Sequence, residues 1–338
     1  MSHTLLVMPD DTAGPVLAAI RAAKQSICVK MFLFSHTELL AALIEAKKRG
    51  VHVRVMLNPA RRSGQSENAA TRKKLKAAGI EVIDTNPAFE VTHEKSMVVD
   101  DTAAYIESFN WDEKDLTETR DYAVVTTHTP EVAEVMKCFE ADWERKTFKV
   151  DQDALLIWCN ANGRDRVARF IDDAKHTLFA QNERYQDSVI IERLVRAKER
   201  GVKVHVMARP PHKLKKEKLT EGVGGLRILD DVGIPVHKLK HLKLHGKMLL
   251  ADHSRAIVGS INLAPGSFDS RRELAIEVHS PEVIERLRHI AHHDWKHSHP
   301  FDLTDEGLLA ELEEHKIDAG EALALTKSGE KKGNKKRS

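Results

Sequence analysis

The chain repeats itself, and that repeat limits its fold more than any other feature. VLAAIRAAKQSICVKMFLF and then ELLAALIEAKKRGVHVRVMLNP in the first half return as RVARFIDDAKHTLFAQNERY and then VIIERLVRAKERGVKVHVMARP in the second. Each copy reads as an apolar-striped helix, a strand, a second helix, a glycine (Gly50 or Gly201) and a β-branched strand. Leu39, Leu40, Leu43 and Ile44 fall on one helical face, as do Ile190, Ile191, Leu194 and Val195, because residues three and four apart are neighbours around a helix. The glycines stand where a helix stops, and Pro59 and Pro210 end the strands, since proline supplies no ladder N–H.

The match continues further along. KLKAAGIEVI returns as ILDDVGIPVH, and DYAVVTTHTPEVAEVMKCFEADW returns as ELAIEVHSPEVIERLRHIAHHDW. Alternating helices and apolar strands predict a duplicated α/β sandwich, mixed β-sheets flanked by helices. A chain of 338 residues suits two such units better than one core. We expect halves at 1–150 and 151–300, joined near 145–162, and a helix with a basic flexible tail at 301–338. Leu308, Leu309 and Leu312 would face inward on that helix, and the charged, glycine-rich stretch 212–225 reads as a surface loop.

Charge and composition narrow the setting. Lys and Arg number 53 against 51 Asp and Glu, a formal charge of +2 that calls for no polyanionic partner. The start, MSHTLLVMPDD, has no basic region leading into an apolar core, and no run approaches the roughly 20 apolar residues that cross a bilayer. Cys28, Cys138 and Cys159 lack metal-ligand spacing and leave one unpaired in any disulfide scheme, so reduced, structural thiols and a cytoplasmic setting are expected.

The chemistry lies in two windows, HEKSMVVD and HGKMLLAD. They give His93, Lys95 and Asp100, and His245, Lys247 and Asp252. A histidine and a lysine two apart in a strand project from the same face. Asn110 and Asn262 follow, then Asp121 and Glu273, and all five positions recur 152 residues later. Together they suit phosphodiester cleavage. One neutral histidine attacks phosphorus while a second, protonated, gives its proton to the leaving oxygen. The lysines hold the phosphoryl oxygens, and the asparagines add hydrogen bonds. A carboxylate behind each histidine fixes its tautomer; in related two-half sites that acid tends to come from the opposite element, which makes Asp121 and Glu273 the candidates. Asp100 and Asp252 each end an apolar strand at a turn, where Asp is common. They read as carboxylates bonded to backbone or lysine, since direct contact with phosphate would bring two anions together.

These residues resemble the phospholipase D superfamily, whose duplicated HxKxxxxD signatures meet at a pseudo-twofold interface. The resemblance runs from the first helix–strand pair through Trp295. It implies pseudo-twofold related halves sharing one site, a covalent phosphohistidine, and transfer to water or another alcohol, with no cofactor and no required metal. Carried onto this chain, His93 is the nucleophile and His245 the general acid. KLHGKMLLADHSRAIVGSINLAP followed by RREL resembles bacterial phospholipase D and cardiolipin synthase-like proteins, and two halves in one chain resemble these more than the small single-motif nucleases that dimerise. A phospholipid is therefore the expected substrate, with peripheral contact to an anionic membrane and a monomeric chain. A metal-independent endonuclease is the alternative, helped by Lys238, Lys240 and Lys243, which would meet either a nucleic-acid backbone or a lipid phosphate. One departure stands out. Where GSIN keeps Gly259 before the serine, ESFN has Glu107. A solvent-facing Glu107 is the simpler expectation; an inward one would narrow the pocket or repel a substrate phosphate.

Overall fold

The computed structural model describes residues 2–59, 67–210 and 219–314. The first half supplies β1 (His3–Met8), β2 (Ser26–Met31), β3 (His52–Leu57), β4 (Glu81–Asp84), β5 (Val91–Thr92), β6 (Ser96–Val99), β7 (Ala103–Glu107) and β8 (Thr119–Thr126). The second supplies β9 (Ile157–Trp158), β10 (Thr177–Asn182), β11 (Lys203–Ala208), β12 (Val236–Leu239), β13 (Lys243–Leu244), β14 (Met248–Ala251), β15 (Arg255–Gly259), β16 (Arg271–Arg272), β17 (Leu274–Val278) and β18 (Ser298–Pro300). One sheet runs β1-β8-β7-β6-β2-β3-β4, and the other β18-β12-β11-β10-β14-β15-β17-β9. The repeated strands therefore keep one order, β8-β7-β6-β2-β3-β4 against β17-β15-β14-β10-β11-β12, and the sheets are mixed, as the repeat predicts.

Local chemistry explains the paired elements. The helix Thr37–Lys48 is capped by the His36 side chain, which accepts from the Leu39 amide, and Ser188–Glu199 by Asp187, which accepts from Ile190. Gly50 and Gly201 follow at φ +92 and +88, a left-handed stop that suits glycine. Leu39, Leu40 and Leu43, and likewise Ile190, Ile191 and Leu194, are buried against their sheets, with Ile44 and Val195 at the edge of each core.

Each sheet has an outer core of its own beneath these helices. A third core joins the halves: Val98, Ile106 and Val124 of the first sheet pack in one cluster with Leu250, Val258 and Ile276 of the second. The helices Thr129–Trp143 and Pro281–Lys296 contribute Val135, Phe139, Ile284 and Leu287 to it. Each fully buried aliphatic side chain contributes roughly 1.5–3 kcal/mol, so the shared face makes the two sheets one body. The second half also reaches past residue 300, where Phe301 and Leu303 are buried in its outer core. The helix Asp305–Glu314 sets Leu308 against that core, while the Leu312 side chain and the basic tail lie outside the described residues.

One expectation is corrected, and the alternative left open for Asp100 and Asp252 falls to the backbone. The stretch 212–225 does not read as loop throughout, because its described part opens the helix Leu219–Asp231. Its glycines serve close packing: a Cβ on Gly225 would come within 1.9 Å of the Tyr185 carbonyl oxygen. Asp100 and Asp252 stand in left-handed turns, at φ 51 and 52, directly after β6 and β14. The Asp100 carboxylate accepts from the amides of Lys24, Gln25 and Ser26, and Asp252 from those of Lys175, His176 and Thr177. These amides hold both carboxyls below their usual range, outweighing the effect of burial. Both aspartates clamp the entrance of β2 or β10 to its hairpin and do not touch the histidines. Among the described residues no helix is long and apolar enough to cross a membrane.

A pair of ionic clasps crosses between the halves. Arg120 makes a two-pronged bond to Asp294 at 3.0 and 3.1 Å, and Arg272 makes the equivalent one to Asp142 at 3.1 and 2.9 Å. All four side chains are buried. Asp294→Ala leaves a buried guanidinium without its fork partner and should cost about 3–5 kcal/mol. Chemical denaturation should show this loss, and Arg120→Met combined with Asp294→Leu should recover most of it. A single variant as stable as the parent would mean that the clasp carries no such weight.

Candidate active site

Each motif histidine is gripped by the other half. β5, just before His93, pairs in parallel with β16, so that Val91 faces Arg271 and Thr92 faces Arg272. β13, just before His245, pairs in parallel with the start of β8, Lys243 with Thr119 and Leu244 with Arg120. The ladder then ends in a forked bond. The amides of His93 and Glu94 both donate to the Arg272 carbonyl, and those of His245 and Gly246 both donate to the Arg120 carbonyl. The residue after each arginine is a carboxylate, and it meets the histidine. Nδ1 of His93 lies 3.0 Å from Glu273 Oε2, and Nδ1 of His245 lies 2.9 and 3.0 Å from the two oxygens of Asp121. Glu273 and Asp121 are fully buried. With Nδ1 committed to a carboxylate, Nε2 is the nitrogen left for chemistry.

The lysines complete one cluster. Lys95 and Lys247 each donate to the carbonyl of the histidine two residues before them, and both are buried. Burial and repulsion from Lys247 push Lys95 down to about 7, against the pull of Glu273, Asp115 and Glu183. Two ammonium groups held near each other in a dry site favour an anion between them. Asn110 is held by Asp115, whose Oδ2 accepts from both its backbone amide and its side-chain nitrogen. Asn262 is also buried. Lys243 is ion-paired to Glu118 across the halves, and the Lys238 ammonium lies 6.0 Å from the Phe301 ring.

The two half-sites are not equivalent, and sequence reasoning missed the residues that make them differ. Aligned through Gly50 and Gly201, Phe32 corresponds to Glu183; aligned through the motifs, Asp115 corresponds to Ser267. The Phe32 ring lies edge-on to His93 at 5.1 Å and below the Lys95 ammonium at 5.1 Å. Opposite it, Glu183 stands 3.8 Å from His245 Nε2 and 3.4 Å from Lys247, and is ion-paired to Arg209. Asp115 adds a second carboxylate 3.5 Å from His245 Nδ1. The outcome is that their proton affinities are displaced in opposite directions. Burial, then Lys95, push His93 down to about 3 although Glu273 pulls it up. Burial disfavours charge on His245 too, but Asp115 and Asp121, with Glu183, outweigh it and raise the imidazole above its usual value. Both breaks were visible in the repeat as a lost match between its two copies.

Glu107 departs from both expectations. It neither faces solvent nor crowds the site as a charge, since it is fully buried and its Oε2 accepts from Trp111 Nε1 at 2.8 Å. Burial pushes its carboxyl up to about 8, so it is largely neutral at pH 7. The counterpart of the Glu107–Trp111 pair is Gly259–Leu263. There a Cβ would lie 2.3 Å from the Leu274 carbonyl oxygen, which excludes any side chain.

Among the described residues two clusters have ligand spacing for a metal: Asp115, Asp121 and His245, and Glu94, Cys138 and Asp142. The second is already neutralised by Lys30, which bonds both its carboxylates, and by Arg272. In the first, Asp121 is engaged with the imidazole and Asp115 with Asn110. All three cysteines are free and buried.

A family model described as "Cardiolipin synthase, PLD-like domain" matches this chain twice, over residues 16–143 and 167–295. Cardiolipin synthase B of Salmonella typhi is 26% identical over 330 residues, covering 84% of this chain and 78% of that protein. Cardiolipin synthase B of Escherichia coli strain K12 is 25% identical over 319 residues, covering 81% and 75%. Among solved structures, phosphatidylserine synthase of Haemophilus influenzae matches with a TM-score of 0.70 at 11% identity, covering 94% of each chain. Polyphosphate kinase of Porphyromonas gingivalis also reaches 0.70, at 16% identity over 89% of this chain and 48% of that one. At such identities the likeness shows the fold alone, and two such different names on one fold leave the substrate to the site.

The charges of the histidines can be measured directly. In an NMR titration His245 should hold its proton to higher pH than a free imidazole, and His93 should stay neutral down to strongly acidic pH. Asp121→Asn should lower the titration midpoint of His245, whereas Glu273→Gln should leave it in place. An unmoved midpoint in Asp121→Asn would remove the carboxylate from this role.

Proposed function

This chain belongs to the cardiolipin synthase, phospholipase D-like domain family, and on that premise we propose that it transfers or hydrolyses a phosphatidyl group through a phosphohistidine on His93. The observation that carries the assignment is the opposed environment of the two imidazoles. Paired groups pushed apart in proton affinity are how a site divides acid from base at one pH. His93, beside Phe32 and Lys95, is neutral, and its Nε2 lone pair attacks phosphorus. His245, beside Asp115, Asp121 and Glu183, keeps its proton and gives it from Nε2 to the departing alkoxide. Lys95 and Lys247 stabilise the equatorial oxygens as charge grows on them, with Asn110 and Asn262 as further hydrogen-bond partners. Glu273 and Asp121 orient the imidazoles. In the second step His245, now neutral, takes the proton of water or an alcohol as its oxygen attacks, and the P–N bond to His93 breaks. Asp100 and Asp252 act at a distance, by holding the hairpin that carries each lysine strand.

The lipid substrate is supported by the family and by the names of the relatives matched over most of their length. Purified protein given phospholipid vesicles with glycerol, and separately single- and double-stranded DNA and RNA, should form phosphatidyl products. Cleavage confined to the nucleic acids would reassign the substrate and leave the site chemistry intact.

Two tests address the mechanism. His93→Ala should abolish turnover and any phosphoryl adduct, while His245→Ala should slow turnover by about 10²–10⁴-fold and trap the adduct on residue 93. The second defect should shrink with nitrophenolate, which leaves without much acid assistance. Full activity in both variants would end the phosphohistidine reading. Activity should also persist in EDTA, because the site supplies its own nucleophile and cations. An obligatory divalent ion, restored in stoichiometric amount, would contradict this.

A further inference from the structure

Glu183 has no charged counterpart in the other half, where Phe32 stands, and it lies on the reacting side of His245. Its carboxylate faces Nε2 of His245, the nitrogen that exchanges a proton with the alcohol, at 3.8 Å. Nδ1, on the other side of the ring, belongs to Asp121. Lys247, His245 and Arg209 hold the Glu183 carboxyl well below its usual range although burial opposes this, so it is ionised. An ionised carboxylate only accepts hydrogen bonds. Arg209 and Lys247 take part of that capacity and leave acceptor lone pairs beside the place where the alcohol must stand. Lys247 has three donors, of which one goes to the His245 carbonyl and one is directed at Glu183. A third remains for a phosphoryl oxygen. On the His93 side the equivalent residue is Phe32, which offers no acceptor.

We propose that Glu183 selects the alcohol: its carboxylate accepts a hydrogen bond from a second hydroxyl of a polyol, fixing that polyol as it leaves or attacks at His245. The inference rests on the phosphatidyl-transfer reading and names the residue that recognises its alcohol half. The bond changes are those of the transfer itself. The attacking hydroxyl forms the new P–O bond, the P–N bond to His93 breaks, and the hydroxyl proton passes to His245 Nε2. The second hydroxyl stays intact and donates to Glu183. A monohydric alcohol of equal length lacks that donor.

The test uses phosphatidyl-p-nitrophenol in mixed vesicles with equimolar glycerol and 1-propanol. Nitrophenolate release reports the first step, and mass spectrometry gives the ratio of phosphatidylglycerol to phosphatidylpropanol. Removing a hydrogen bond to a charged group should lower that ratio about tenfold in Glu183→Ala. Glu183→Gln keeps one acceptor and should fall between that variant and the parent. Any change in the acidity of His245 affects both acceptors alike, so it cancels in the ratio. A ratio unchanged within about twofold in active Glu183→Ala and Glu183→Gln would overturn the proposal while leaving phosphatidyl transfer in place. If the parent protein releases no nitrophenolate and forms neither ester, the transfer reading fails and this inference fails with it.

Discussion

Two backbone carbonyls, those of Arg120 and Arg272, hold this site together. Each accepts from two successive amides in the opposite half, and one of those amides belongs to a motif histidine. The carboxylate that meets the histidine is the next residue along, so placing the carbonyl also places the acid. The arginine side chain leaves in another direction and forks onto Asp294 or Asp142, near the end of the opposite half's long helix. One residue thus ties a histidine strand, a carboxylate and a helix end together. Buried ion pairs of this kind seldom stabilise more than apolar packing would. Their geometry is strict, however, and it fixes the register of one sheet against the other.

A duplicated fold offers two equal half-sites, in which either imidazole could hold the one proton the proposed reaction needs. Unequal surroundings set in advance which of them is favoured to hold it. The chain departs from its repeat at positions within a few ångströms of the imidazoles. Phe32 faces Glu183 across the pseudo-symmetry, and Asp115 faces Ser267. The frame that grips the histidines keeps the symmetry. Glu107 and Trp111 replace Gly259 and Leu263 one layer deeper, where a protonated carboxyl bonded to an indole changes packing without adding charge to the site.

Much of this was legible in the chain itself. The helix faces around Leu39 and Ile190, the stops at Gly50 and Gly201 and the mixed sheets follow from periodicities of a few residues. The stretch ending GVGG misled because glycine marks either a turn or a close approach, and only Tyr185 nearby shows that Gly225 serves the second. The final aspartate of each motif also invites a catalytic reading, since its spacing from the lysine is fixed. The left-handed turn and three backbone amides explain that spacing without any substrate.

The sequence by itself determined the duplication, the pairing of five polar positions at one offset and the shared face of each histidine and lysine. All of these depend on neighbours along a strand or on identity between copies. Only the tertiary structure decided how closely each carboxylate meets its histidine, what Arg120 and Arg272 hold, and in which direction each imidazole's proton affinity moves. Those depend on groups more than a hundred residues apart, brought within about 3–4 Å by the packing of two sheets. At that range in a buried site, the exchange of Ser for Asp115, with that of Phe for Glu183, separates two halves whose motif residues are identical, and no local pattern reports such a distance.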